Sequence, residues 1–223
     1  MASPLDLEEQ EQLDEFKHFW SRWGNLISWV LILVLGGYAA WMGWQSHSVK
    51  QASQAAALYD TVERSAIGGD MALLERSVSD IKDKFSSTTY AQQAALLAAR
   101  VYNDKDRKAD AKAQLIWVIK EASDEGYQSM ARLRLAALLV EDKAYDEARQ
   151  QLSAKTPDAF APLMADRLGD LAMLQAQPAQ AIKHYKSAWK GFEPNAEYRR
   201  LVAVKLAALG EDPEDQSAAE RLK

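Results

Sequence analysis

The sequence predicts an all-α protein in which one membrane-spanning helix is followed by an array of helical hairpins. Three observations carry this reading. Leu26 to Trp44 is an uncharged, apolar run of 19 residues flanked by tryptophans. Only 10 Gly and 6 Pro interrupt 223 residues rich in Ala, Leu, Glu, Lys, Gln and Arg, side chains that lose little rotamer freedom in a helix. Pairs of small residues also recur at a regular interval further along the chain.

The apolar run comes first. At 1.5 Å per residue it makes about 28 Å of helix, close to the roughly 30 Å hydrocarbon core of a bilayer. Trp20, Trp23 and Trp29 lie at or near one end and Trp41 and Trp44 at the other, where indole rings settle at headgroup level. A buried helix of a soluble core is disfavoured by the length and the missing charges. A cleaved leader is disfavoured too. The 25 preceding residues are acidic, and the run exceeds the roughly 7–15 residues of a leader's apolar region. A retained signal anchor at 26–44 is expected. Lys17 and Arg22 precede it and Lys50 follows, a two-to-one margin for a cytoplasmic N-terminus. In a bacterium the C-terminal domain is then periplasmic. Gly36 with Ala40, and Ala39 with Gly43, are small-xxx-small pairs that let another membrane helix approach closely.

Of the net charge of −5, residues 1–25 hold −4, from six acids against Lys17 and Arg22. Residues 1–25 are expected to form a cytoplasmic acidic tail. Asp6 with Glu9 reads as a helix start, and Leu13, Phe16, Trp20 and Trp23 as the apolar stripe of a short amphipathic helix. A tail that orders only on a partner is the other reading. The remaining 179 residues sum to −1, which leaves no electrostatic footprint for nucleic acid. With no Cys, thiol chemistry and disulfides are excluded.

From Gln45 the chain reads as successive helices. Breaks fall at Gly68-Gly69 with Asp70 as a cap, at 86–89, 103–106, 123–126 and 141–143, at Thr156-Pro157-Asp158 and at Gln177-Pro178. Ala99 and Ala111, Ala136 and Ala148, and Gly169 and Ala181 are each twelve apart, and the second members are separated by 37 and 33 residues. A large apolar residue follows each second member by four: Leu115, Leu152 and Tyr185. Antiparallel helices whose axes lie 8–10 Å apart need small residues where they cross. The spacing resembles the 34-residue tetratricopeptide repeat. The fold class is therefore all-α, a single transmembrane helix followed by a tetratricopeptide-like helical repeat array over 45–210. Helices at 46–67 and 71–85 are expected to form a degenerate leading hairpin. A helix at 195–209 is expected to shield the open end, with 211–223 a disordered tail.

No HExxH, GxSxG, Walker A or GxGxxG pattern occurs, and His18, His47 and His184 lack partners at metal-ligand spacing. The chain is expected to be no enzyme and to need no cofactor. What a repeat array offers is a groove lined by the first helix of each hairpin. Repeat positions 2, 5, 9 and 12 are Gln93, Leu96, Arg100 and Asn103 in the first unit. They are Met130, Leu133, Ala137 and Val140 in the second, and Leu163, Asp166, Asp170 and Met173 in the third. The candidate protein-binding residues are Leu96, Arg100, Met130, Leu133, Ala137, Val140, Leu163 and Met173. A C-terminal helix or a following repeat filling these positions is the alternative. Gly36, Ala40 and Gly43 are the candidate membrane-helix contact.

Glu11 to Asn25, the span with its Trp44-Gln45-Ser46-His47 exit, Leu133 to Ala136 and Ala165 to Asp170 together resemble the YfgM family of ancillary SecYEG translocon subunits. The resemblance implies a bacterial inner-membrane protein with a periplasmic repeat domain. Its implied partners are the SecYEG translocon, a PpiD-like periplasmic chaperone and exported client polypeptides, which it helps pass to periplasmic chaperones. A scaffold organising a cell-envelope or division complex is the competing function.

Overall fold

The computed structural model describes residues 7–212, with side chains from Lys17 onward. The expected cap at Asp6, the side chains of Leu13 and Phe16, and the tail from 213 lie outside the described residues. All regular structure among the described residues is helical: α1 (Leu7–Gly68), α2 (Met71–Phe85), α3 (Thr89–Asp104), α4 (Lys108–Glu121), α5 (Glu125–Glu141), α6 (Tyr145–Leu152), α7 (Ala161–Leu174), α8 (Pro178–Gly191) and α9 (Glu197–Ala208). The chain divides after Ser53 into two compact units.

In the first unit the expected amphipathic helix and span are one uninterrupted helix, because residues 7–53 contain no proline to stop it. Within Lys17–Gly68 lies an apolar window of mean hydropathy 1.8, none of it buried. A soluble core helix would hide this surface. Here Trp29, Leu33, Leu35, Trp41 and Trp44 are all exposed, as lipid-facing side chains must be.

The second unit is organised by one turn repeated five times. Gly69, Asp106, Lys143, Ala176 and Gly210 all have positive φ, between 55° and 78°. They stand 37, 37, 33 and 34 residues apart. After each, the next N–H bonds the carbonyl five residues back: Asp70 to Ser65, Arg107 to Tyr102, Ala144 to Leu139, Gln177 to Ala172 and Glu211 to Leu206, at 2.8–3.1 Å. This is the Schellman closure of a helix end. Asp106, Lys143 and Ala176 each adopt it at a cost of about 1–2 kcal/mol relative to glycine, offset by the packing that the turn makes possible.

The turn marks the boundary between first and second helices of each hairpin. It assigns the end of α1 with α2, α3 with α4, α5 with α6, and α7 with α8 to successive units. By the same register α9 is the first helix of a further unit, with Ala203 at the small position. Its Val202 and Leu206 are fully buried, while Leu201 and Val204 on its other face are 46% and 66% exposed.

The crossing residues behave as the spacing demands. Ala99, Ala111, Ala136, Ala148 and Ala181 are buried, as are Leu115, Leu152 and Tyr185 in the layers between hairpins. Asp70, Thr88 and Asp124 cap their helices through side-chain oxygens. α6 is the shortest helix, ending before Thr156-Pro157. Thr156 instead anchors the loop through its hydroxyl, 2.6 Å from that of buried Ser129. One apolar core runs from Ala55 and Val62 of α1 to Leu171, and a second joins α7, α8 and α9 around Ala181, Tyr185, Val202 and Leu206. Ion pairs cross from unit to unit along the turns: Arg107 with Glu75, Lys108 with Glu141 at 2.9 Å, Lys112 with Asp142, and Lys186 with Glu211 at 2.7 Å. Partly solvated pairs of this kind contribute about 0–1 kcal/mol each, so they tune register more than stability.

Candidate functional site

Stacking the hairpins sets the first helices α3, α5 and α7 side by side, and two clefts open between them. The cleft between α5 and α7 encloses about 450 Å³. Its walls are Leu133, Ala137 and Val140 of α5 and Leu163, Arg167, Asp170 and Leu174 of α7, over a floor of Leu152 and Leu171. The cleft between α3 and α5 encloses about 420 Å³ and is bounded by Arg100, Asn103, Arg134, Ala137, Leu138 and Glu141. Arg134 and Ala137 line both, so the two clefts form one groove along α5.

The walls differ in character. The α5–α7 cleft is chiefly aliphatic, with its charges tied together: Arg167 lies 3.0 Å from Asp170. In the α3–α5 cleft the Arg134 guanidinium bonds only a backbone carbonyl, that of Leu96 at 3.3 Å. Burial, then the neighbouring Arg100 cation, push its pKa below the usual arginine range. At the α9 end, Asp166 is fully buried and accepts from Tyr198 at 2.9 Å and Lys205 at 2.7 Å. Asp170 accepts from Tyr185 at 2.8 Å and Lys205 at 2.7 Å. Burial and the bond to Asp166 hold the Tyr198 phenol up at about 12. Among the described residues, no three His, Asp or Glu side chains come together in a way that could hold a metal ion.

A groove of this kind, on stacked hairpins behind an apolar helix, is matched among known proteins. Residues 17–211 match the family model for a tetratricopeptide repeat-like domain. The ancillary SecYEG translocon subunit of Neisseria gonorrhoeae is 31% identical over 204 residues, 91% of this chain and 98% of the relative. The proteins of the same name from Haemophilus influenzae and Escherichia coli are each 28% identical, over 182 and 185 residues. Each of those alignments covers 82% of this chain, with 89% and 85% of the relatives. The chain belongs to the family of ancillary SecYEG translocon subunits. The match takes in the apolar helix as well as the repeats, so in this family member both units are family features.

Four of the eight expected groove residues, Leu133, Ala137, Val140 and Leu163, line the α5–α7 cleft, and Arg100 lines the other. Three lie elsewhere. Leu96 is 5% exposed and belongs to the core, Met130 packs partly buried against that core, and Met173 is exposed outside the cleft walls. Asp166, also expected on the groove, is covered by α9. Position 5 of the repeat is thus open only at Leu133. Arg134 and Arg167 were missed. They stand 33 residues apart at one repeat position, a register signal the four scanned positions skip. Gly36, Ala40 and Gly43 are exposed on α1, and a Cβ built at Gly36 or Gly43 would meet nothing within 4 Å. His184 is half-buried on α8, where burial and then the Arg149 cation lower its pKa.

Proposed function

We propose that this protein is a non-enzymatic ancillary subunit of the Sec translocon. It is anchored in a bacterial inner membrane by the apolar part of α1, with a cytoplasmic N-terminus and a periplasmic repeat domain. The groove along α5 binds polypeptides leaving the translocon and passes them to periplasmic chaperones, among them a PpiD-like membrane-bound partner. The observation that carries this is an aliphatic groove on stacked first helices, in a chain whose relatives are named for the SecYEG translocon. A groove walled by Leu133, Val140, Leu163 and Leu174 suits the apolar segments that an unfolded client exposes.

Crosslinking in intact membranes tests the assignment. Translocon subunits and nascent exported chains are the expected products, whereas division or peptidoglycan-synthesis proteins without any translocon subunit would establish a scaffold instead. Leu133→Asp places a charge on the aliphatic wall, and crosslinks to clients should fall several-fold while circular dichroism retains the helical signal. Unchanged client crosslinks would exclude the groove. In the membrane, Gly36, Ala40 and Gly43 form a face for close approach of a translocon helix. Gly36→Leu with Gly43→Leu should lower co-purification with the translocon in mild detergent, and undiminished recovery would place the contact in the repeat domain.

A further inference from the structure

We infer that the cleft between α3 and α5 is a carboxylate subsite, and that the groove takes a segment of another polypeptide in which an acidic side chain lies beside apolar ones. This rests on the client-binding reading of the groove and adds the chemistry by which a client segment is chosen.

The cations of the repeat domain set the standard. Arg107, Lys108, Arg167 and Lys205 each have a carboxylate oxygen within 3.0 Å. Arg134 has none, and its one bond is to the Leu96 carbonyl. Arg100 shares the cleft and reaches only Asp104, at 3.8 Å. Glu141 also lines the cleft, but Lys108 holds it at 2.9 Å. Two guanidinium groups therefore face one partly desolvated space without a free anion between them, an arrangement that costs stability until a counter-charge enters. Beside them, the side-chain oxygen of Asn103 is buried without a hydrogen-bond partner. Turning that amide over presents an N–H to the same space, since oxygen and nitrogen are interchangeable there. Two guanidinium forks and an amide donor are the donor set of a carboxylate.

The neighbouring wall decides what carries the carboxylate. Ala137, one helical turn after Arg134, lines both clefts, and its small side chain leaves the passage between them open. Past it lie Val140, Leu163 and Leu174. In an extended segment, side chains two residues apart point the same way at about 7 Å. An Asp or Glu on Arg100 and Arg134 therefore places an apolar side chain two positions away against that aliphatic wall. A phosphate backbone would gain the two arginines and then lie against hydrocarbon.

The test uses the full-length protein in nanodiscs and a short fluorescent peptide centred on Leu-Asp-Phe, compared with the same peptide carrying Asn for Asp. By fluorescence anisotropy the Asp peptide should bind about tenfold more tightly, as a charge-assisted bond in a partly dry site allows. Arg134→Gln and, independently, Arg100→Gln should erase that preference and leave the Asn peptide unchanged, while Leu133→Asp weakens both peptides. Equal binding of the two peptides by the unmodified protein overturns the carboxylate subsite and leaves the aliphatic groove standing. Loss of client crosslinks in Leu133→Asp is the separate check on the groove itself. If neither peptide binds the whole chain but both bind a chain ending at Asp212, the occupant is the protein's own tail and the inference fails.

Discussion

Gly169→Ala should lower the unfolding midpoint of the repeat domain, although alanine is the better helix former. A Cβ at Gly169 would lie 2.4 and 2.5 Å from two atoms of the Tyr185 ring, well inside contact distance. The ring has nowhere to go. Tyr185 is buried, its hydroxyl donates to Asp170 at 2.8 Å, and the Lys205 ammonium lies 5.2 Å from its centroid. Overpacking of a fixed core costs about 1–3 kcal/mol, and alanine in a helix returns about 1. Gly169→Ala therefore loses about 1–2 kcal/mol, a midpoint drop of a few degrees for a domain of this size. Gly169→Leu, with three more carbons aimed into α8, should separate α7 from α8 altogether. Gly68→Ala is the matched control. Gly68 is also helical, its Cβ would meet nothing within 4 Å, and the same substitution there should leave the midpoint unchanged or raise it. Thermal melts followed by circular dichroism compare the three. A midpoint for Gly169→Ala at or above that of the unmodified protein would mean that Tyr185 can swing aside, and that close approach of α7 and α8 does not depend on glycine.

That argument also shows which features a single sequence can display. The Gly169–Ala181–Tyr185 spacing was readable because close helix crossings admit few residue types, so packing leaves a compositional trace. The membrane helix was readable for a similar reason: a bilayer tolerates no charge, and Leu26 to Trp44 has none. The turns were only half legible. Gly69 and Gly210 announce positive φ, but Asp106, Lys143 and Ala176 adopt the same conformation with nothing in their side chains to report it. Their backbone is set by the hairpins on either side. The groove was legible where a repeat position faces outward in every unit, as for Ala137 and Val140. It was misread at position 5, where Leu96 is covered within the core and Asp166 by α9, because burial there depends on which unit follows. The unneutralised pair Arg100 and Arg134 could not be seen at all. Whether a cation lacks a carboxylate is a fact about three-dimensional neighbours, and this chain has plenty of acids.

Asp166→Ala should release α9. Asp166 is completely buried, yet its two oxygens are engaged, one by Lys205 at 2.7 Å and the other by Tyr198 at 2.9 Å, with Arg167 3.7 Å away. Lys205 and Tyr198 are both on α9, so this one carboxylate ties the helix to α7 across the edge of the array. The rest of the attachment is modest: Val202 and Leu206 in the second core, and the Tyr198 ring 5.2 Å from that of Phe192. Removing one member of a buried ion pair costs about 3–5 kcal/mol because the other charge stays behind. Lys205 is 22% exposed and retains Asp170 at 2.7 Å, which places the expected loss near the lower end, about 3 kcal/mol. Asp166→Asn keeps an acceptor for Tyr198 and should lose less. Hydrogen exchange locates the effect: amides of α9 should lose protection while those of α3 and α5 keep theirs, as expected of a terminal repeat that opens on its own. Pairing Asp166→Ala with Lys205→Met separates the ion pair from the packing, since a coupled pair loses less together than the sum of its parts. Strict additivity, or undiminished protection of α9, would show that Val202 and Leu206 alone hold the helix. The consequence extends to the groove. Lys205 also binds Asp170, which with Arg167 lines the α5–α7 cleft. A chain that has lost Asp166 therefore presents a looser wall at that end, and its client crosslinks should fall even though no residue of the cleft itself has changed.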